Sequence, residues 1–392
     1  MLTLKTIFYI FLFIIFYAYL GYGVLLFILI RLKRASGKKP QTLDEPYEPE
    51  ITLFVTAFNE KDFIDEKLRN SFSLDYPKEK VRHVWITDGS DDGTPEILGK
   101  YPGVEVYHQP ERKGKIAAMN RGMQFVKTPI VVFSDGNTML GHESIRRIVN
   151  LFKDPKVGCV SGEKRIFSKD SAAATEGIYW KYESTLKKWD AELYSVVGAA
   201  GELFALKTEL FQPVEADTLL DDFIISLRIA ERGYTIQYDR EAYAIENPSA
   251  SVREELKRKI RISAGGIQSV IRLKELLNPF RFGMLSFQYI SHRVLRWTLA
   301  PAGLLIILIC SAIIASSEGI TDYLTVFFWF FWGQVVFYAA ALLGWFLEER
   351  KIKLKLLYVP YYFFIMNLAV YLGFIRYIKK TQSVNWERAK RG

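Results

Sequence analysis

The chain has 392 residues, half of them hydrophobic and 15% aromatic, with a formal net charge of +9. That length leaves room for two or three domains, and the excess of Lys and Arg suits an anionic membrane surface or a phosphorylated substrate. No DNA- or RNA-binding motif accompanies the charge, so nucleic acid is not expected as a partner; the two distant cysteines, Cys159 and Cys310, exclude a disulfide framework or a cysteine metal site.

Residues 7–30 form a nearly uncharged block long enough to cross a ~30 Å hydrocarbon core. It exceeds the apolar core of a signal peptide and lacks a small-residue cleavage site, so a retained anchor is expected. Three further apolar blocks lie at 299–316, 323–347 and 356–375. The expected order is a transmembrane anchor over 1–34, a soluble domain over 48–250, amphipathic interfacial helices over 251–297, transmembrane helices over 298–378 and a basic tail over 379–392. Arg31, Lys33, Arg34, Lys38 and Lys39 follow the first block and place the soluble domain in the cytoplasm. Four full crossings would put the basic tail, Arg376 to Arg391, outside. Either one late segment re-enters or the tail is an exception.

From Glu50 the pattern alternates. Ile51–Ala57, Val81–Thr87, Val104–His108 and Ile130–Phe133 read as strands, and Lys61–Ser71, Thr94–Lys100, Lys115–Phe125 and His142–Phe152 as helices. This predicts an α/β fold with a mostly parallel sheet covered by helices on both faces. Ligands of such sheets bind beyond the carboxyl ends of the strands, and the polar residues collect there. The first strand ends at Thr56-Ala57-Phe58-Asn59-Glu60, and the second at Thr87-Asp88-Gly89-Ser90-Asp91-Asp92. Asp88 can accept a hydrogen bond from a nucleobase or ribose, whereas Asp91 and Asp92 read as turn and cap. Neither G-x-G-x-x-G nor a P-loop is present. Lys113 and Lys115 stand at a helix start, where dipole and ammonium both favour phosphate. The fourth strand stops at Ser134-Asp135-Gly136-Asn137: a ligand site for a metal or polar substrate, or an ordinary turn.

TAFNE, TDGSDDGT, RKGK followed by Asn120-Arg121-Gly122, and FSDGNT, in this order, resemble the family 2 glycosyltransferases with a GT-A (Rossmann-like) fold. The resemblance is to the membrane-integral branch that includes cellulose, chitin and hyaluronan synthases, and it covers about residues 48–300. It implies a nucleoside-diphosphate sugar donor, with UDP favoured. The nucleotide would lie by Thr56, Ala57, Asn59, Glu60 and Asp88, and the diphosphate by Lys113 and Lys115. Mg²⁺ or Mn²⁺ would sit at Asp135 and Asn137, where the usual motif is Asp-x-Asp and a neutral amide is a poorer ligand.

The turn Gly198–Ala205 resembles the family segment that shapes the acceptor and sugar pocket, here with Gly201 and Glu202. Asp221 and Asp222 open a helix about 100° apart, so they cannot form the facing carboxylate pair of a glycoside hydrolase. They resemble the family's Thr-Glu-Asp motif, which makes Asp222 the general base and places Asp221 beside the acceptor. Arg253–Asn278 is basic and amphipathic, as in a helix lying in the membrane interface. At the spacing of the family's Gln-x-x-Arg-Trp motif stands Arg258-Lys259-Ile260-Arg261-Ile262. By resemblance Arg261 holds the leaving diphosphate, with Arg258 in the Gln position. Ile262 replaces the Trp, which counts against a long processive product. A second near-match ends at Arg296-Trp297 and is expected to be an interfacial anchor. Trp386 would either gate the donor site or lie at the membrane surface.

The expected activity is that of a membrane-bound inverting glycosyltransferase of the bacterial inner membrane, extending a polysaccharide. The alternatives are transfer of one sugar to a lipid carrier or glycolipid, and a non-catalytic sugar-nucleotide-binding scaffold. Expected partners are the donor, a glycan or lipid-linked acceptor, and membrane lipids.

Overall fold

The computed structural model describes residues 1–37, 47–166, 173–247, 252–318, 323–350 and 354–384; Lys38, Lys39 and Trp386 lie outside them. The soluble part is an eight-stranded mixed sheet in the order β3-β2-β1-β4-β7-β6-β8-β5. Its strands are β1 Ile51–Ala57, β2 Val81–Asp88, β3 Val104–Gln109, β4 Ile130–Asp135, β5 Met139–Leu140, β6 Val157–Ile166, β7 Leu203–Lys207 and β8 Thr235–Glu246. β1 to β4 are parallel, and β7 enters antiparallel between β4 and β6. The first four strands match the sequence reading to within two residues.

Helices cover both faces, which is why the strands are apolar on both sides. Successive strand residues point to opposite faces. Phe54, Ile86, Val131 and Phe133 join one core with Ile116 and Met119 of α4 (Lys115–Gly122) and Ile224 and Leu227 of α7 (Asp221–Glu231). Leu53, Val55, Trp85 and Val132 join the other core. There they meet Ile64 and Leu68 of α2 (Lys61–Phe72), Leu98 of α3 (Thr94–Leu98), and Ile145 and Ile148 of α5 (Ser144–Leu151). Gly122 closes α4 onto the sheet: a Cβ there would lie 2.4 Å from the Phe54 ring. In the register, Thr56 pairs with Ile86 on one side and Asp135 on the other. The ends of β1, β2 and β4 are therefore level, and their polar tips share one edge.

The remaining helices are α1 Leu2–Ala35, α6 Ala173–Leu193, α8 Val252–Arg272, α9 Leu299–Glu318, α10 Val326–Glu349 and α11 Lys355–Ile378. Four of them, α1, α9, α10 and α11, are long and apolar enough to cross a membrane. At the end far from the sheet, Lys5 of α1 pairs with Glu318 of α9 at 2.5 Å, and Phe8 packs edge-on to Phe327 of α10. At the near end, Arg34 pairs with Glu192 of α6 at 2.6 Å.

The path of α11 is different. Its first turns pack on Gly344, close to the end of α10, and Asn367 accepts a hydrogen bond from Tyr19 at 2.8 Å. Tyr371 then donates to the Pro301 carbonyl at 2.6 Å, and Gly373 lies against Ser263 and Ala264 of α8. Beyond it, Val384 packs on the core of the soluble domain. α11 thus lies across the end where the apolar helices meet the sheet domain, and residues 379–384 after it stay on that side.

Candidate active site

Asp88 ends β2 and is 5% exposed. Its Oδ2 accepts the Lys113 and Gly114 backbone N–H groups at 2.9 and 2.6 Å, while Oδ1 is buried without a hydrogen-bond partner. Two donors on one oxygen fix the carboxylate and leave the other free for a ligand. Thr56, Ala57, Phe58, Asp88, Arg112 and Lys115 line the adjoining slot. The Arg112 guanidinium stacks 3.7 Å over the Phe58 ring, leaving a cavity of only about 20 Å³. That is room for about one water, so a planar ring enters this slot only by parting the stack.

Lys115, the first residue of α4, joins the strand-end loops to α7. Its Nζ lies 2.9 Å from Asp135 Oδ1 and 3.6 Å from Asp221 Oδ2. Burial works to lower its pKa, but Asp135, Asp221 and Asp222 outweigh burial and hold it above the usual lysine value. Asp135 moves up from the ordinary carboxylate range, mainly through burial, with Lys115 opposing. Asp222 is pushed up to about 7, first by burial and then by its neighbour Asp221, again against Lys115. A carboxylate near 7 is poised to take a proton at neutral pH.

The turn before β7 presses on this carboxylate. An ideal Cβ at Gly201 would sit 3.1 Å from Asp222 Oδ2, so glycine leaves the carboxylate its room. Ser226 of α7 accepts the Ala199 N–H at 3.0 Å, and Ser161 accepts that of Ala200, pinning the turn. Glu202 shares the Lys164 ammonium with Glu246. Burial alone would raise Glu202, but Lys164 holds it down at about 2. It remains a fixed negative charge.

The oxygen atoms at the β4 end fit a divalent cation. Asn137 Oδ1 is buried without a hydrogen-bond partner, and Asp135 offers a carboxylate beside it. Among the described residues no cluster of three or more His, Cys, Asp or Glu side chains forms a metal cage. The set suits an ion that completes its shell with substrate phosphates and water, as Mg²⁺ does.

The structure thus gathers Thr56, Ala57, Asp88, Lys115, Asp135, Asn137, Gly201, Glu202, Asp221 and Asp222 around one edge. Others stand differently. Asn59 exchanges side-chain hydrogen bonds with Asp91 and shapes the turn. Glu60 is buried with its Cγ below Gly136. The Lys113 ammonium faces solvent by Glu111, and only its backbone serves the site. Asp92 caps both α2 and α3 through Lys61 and Thr94. Arg258 is paired with Glu255 on its own helix. Arg261 reaches the Leu219 carbonyl at 3.4 Å, just before the Asp221–Asp222 pair.

Two features depart from the sequence reading or escape it. Trp297, expected as an interfacial anchor, packs on the soluble domain: it lies edge-on to Phe223, the residue after Asp222, at 5.2 Å and against Gly266 of α8. Arg296 beside it turns the other way and joins Glu183 and His292 in a buried polar joint, with the Ala18 carbonyl of α1. Lys67 of α2 was missed altogether. It is fully buried under the β4 loop, and burial lowers its pKa to about 7, with Asp135 opposing. Its signal was visible: Ile64, Lys67, Leu68 and Ser71 are the buried stripe of α2, and a lysine stands in it. A larger cavity of about 270 Å³ lies at the amino-terminal ends of β1 and β2, lined by Leu53, Phe72, Tyr76 and His83 and remote from these carboxylates.

The sequence model of the family described as glycosyltransferase like family 2 matches residues 49–265. Among curated proteins, a poly-β-1,6-N-acetyl-D-glucosamine synthase of Staphylococcus aureus is 27% identical over 251 residues, covering 62% of this chain and 60% of its own length. The Staphylococcus epidermidis synthase is 24% identical over 237 residues, covering 57% and 56%. The chain therefore spans about 60% of the length of the curated relatives it matches. A mannosyltransferase of Pyrobaculum calidifontis, solved with GDP-mannose and Mn²⁺, shares the fold with a TM-score of 0.69 at 22% identity, over 97% of this chain and 100% of that one.

Proposed function

The chain belongs to the glycosyltransferases like family 2, and from that premise we propose that it is a membrane-bound inverting enzyme that moves a sugar from a nucleoside diphosphate to a growing polysaccharide. The observation that carries this reading is Asp222, a half-buried carboxylate with a pKa of about 7, set against Gly201 and within the field of the Lys115 that pairs with Asp135. As the base it takes the proton of the acceptor hydroxyl while that oxygen attacks the anomeric carbon opposite the departing diphosphate. Lys115, which lines the donor slot, and Arg261, by its place after the Asp221–Asp222 pair, would stabilise the leaving diphosphate. Asp135 and Asn137 would hold Mg²⁺ or Mn²⁺, which supplies Lewis-acid stabilisation of the diphosphate when bound. Glu202 and Asp221 border the acceptor side.

Asp88 supports UDP as the carrier. With Oδ2 saturated by two backbone donors, its single free oxygen suits the one imide N–H of uracil. Arg31, Lys33 and Arg34 at the end of α1 support a cytoplasmic sheet domain by the positive-inside rule. In this reading α1, α9 and α10 cross the bacterial inner membrane, and α11 lies in its cytoplasmic interface. A second reading, transfer of one sugar to a lipid-linked acceptor, is favoured by the shared interior of those crossings. Phe8, Ile307, Ile314 and Phe327 fill it.

The test is transfer by the purified full chain from labelled UDP- and GDP-sugars with Mn²⁺ or Mg²⁺. A product ladder supports the polymer, and one lipid-extractable product supports the second reading. Donor binding without transfer or hydrolysis under any condition would leave a scaffold and defeat both.

A further inference from the structure

The buried ammonium of Lys67 has no place in the reading so far. The side chain is 0% exposed, and among the described residues it makes no ion pair within 4 Å. Taking an ammonium out of water without a close carboxylate is unfavourable, and a hydrophobic side chain of similar size is often the more stable occupant. Its two partners are neutral and lie on either side of the same loop: Ser134 Oγ at 2.7 Å and the Thr138 carbonyl at 2.6 Å.

Between these partners the chain makes a closed turn. The Thr138 N–H and hydroxyl both donate to the Asp135 carbonyl, at 3.4 and 3.0 Å, and Ser134 Oγ lies 3.2 Å from Thr138 Oγ1. Asp135 and Asn137 are the two outward residues of that turn. Nothing else holds Asn137 Oδ1, which is buried without a partner. A clamp on both ends of the five-residue loop Ser134–Thr138 fixes the separation of the two side chains that leave it.

Resting on the reading that this loop receives the cation, we propose that Lys67 is a positioning residue for it: its ammonium, tied to Ser134 and Thr138, holds the Asp135 carboxylate and the Asn137 amide oxygen convergent on one ion. The lysine touches neither ion nor substrate. Asn137 leaves the loop only one anion, so geometry must supply what charge does not.

The experiment follows Mn²⁺ binding directly, by electron paramagnetic resonance of the full chain with saturating UDP, beside calorimetric binding of uridine without metal. Uridine probes only the Asp88 slot. Lys67→Met is expected to raise the Mn²⁺ dissociation constant about tenfold, the lower range for losing a supporting group behind a metal ligand, with uridine affinity unchanged. Ser134→Ala keeps the lysine and removes one tether, and is expected to raise it about threefold. Lys67→Met with wild-type Mn²⁺ affinity overturns the proposal. If that variant loses uridine binding as well, Ser134→Ala decides, and an unchanged Mn²⁺ constant there overturns it. Failure of the wild type to bind Mn²⁺ with UDP would instead defeat the metal reading beneath it.

Discussion

Asp222 ties the proposed chemistry to stability, and the link has a sign that can be measured. Its carboxyl sits about three pH units above the ordinary 3.8, at about 7, which corresponds to roughly 4 kcal/mol. A raised pKa in the folded state means that the native protein keeps a proton the unfolded chain has released. The stability this gives is complete below about pH 4 and is lost progressively as pH rises to about 7. Asp222→Asn removes the titration, so its advantage over wild type should grow between pH 5 and pH 8. About two of the three units fall in that window, or roughly 3 kcal/mol, and solvent reaching Asp222 makes this a ceiling. At about 2–4 °C per kcal/mol for a domain of this size, the gain in Tm at pH 8 relative to pH 5 is on the order of 5–10 °C. The same variant should lose transfer by about 10²–10⁴-fold. In the wild type the transfer rate should rise tenfold per pH unit and level off near pH 7, while Asp221→Asn moves that limb to lower pH by removing the adjacent charge. Thermal melts at both pH values and a rate profile check this. Full transfer by Asp222→Asn, or a wild-type limb below about pH 5.5, would refute the base; an equal Tm difference at both pH values would refute the burial argument.

Three further outcomes follow from the same edge of the sheet. Asn137→Asp adds a carboxylate where the amide oxygen is unpartnered, and should lower the Mn²⁺ concentration for half-maximal donor hydrolysis by about tenfold; an unchanged value takes residue 137 out of the ligand set. Gly201→Ala brings a methyl to 3.1 Å from Asp222 Oδ2. It should cost about 10²-fold in kcat through misplacement of the base, with donor KM kept, and a normal kcat would show that the base lies elsewhere. In sealed, cytoplasm-out membrane vesicles, cysteines placed at Lys61 and at Thr381 beyond α11, both exposed, should react with an impermeant maleimide. One at Ser317, exposed at the far end of α9, should not. Protection at Thr381 would make α11 a crossing.

The donor half of the site was legible because each strand ends in a run of polar residues and the register makes those ends level. β1, β2 and β4 needed only their apolar runs, and Asp88, Lys115 and Asp135 follow directly from where the runs stop. Reading became harder where a residue's role depends on a distant segment. Trp297 carries the composition of an interfacial anchor, and only the approach of Gly266 and Phe223 shows it packed between α7 and α8. β7 offers an apolar run like any other. That it enters antiparallel beside β4, and so brings the Gly201 turn against α7, is set by pairing across some seventy residues.

The last apolar block shows what hydropathy alone leaves undecided. A window of that length registers only that lipid is an acceptable neighbour, and the same value describes a helix that crosses and one that lies along the interface. α11 has a further mark in its composition: five tyrosines, at 358, 361, 362, 371 and 377, whose hydroxyls favour the headgroup level over the hydrocarbon centre. Two of its polar contacts, Asn367 with Tyr19 and Tyr371 with the Pro301 carbonyl, reach residues that adjoin the sheet domain. A helix with both ends at that level cannot carry the chain across. With α11 in the interface, as proposed, three crossings leave Lys379, Lys380 and Val384 on the same side as Arg31, Lys33 and Arg34. The conflict between four apolar blocks and the positive-inside rule then disappears without any exception to the rule.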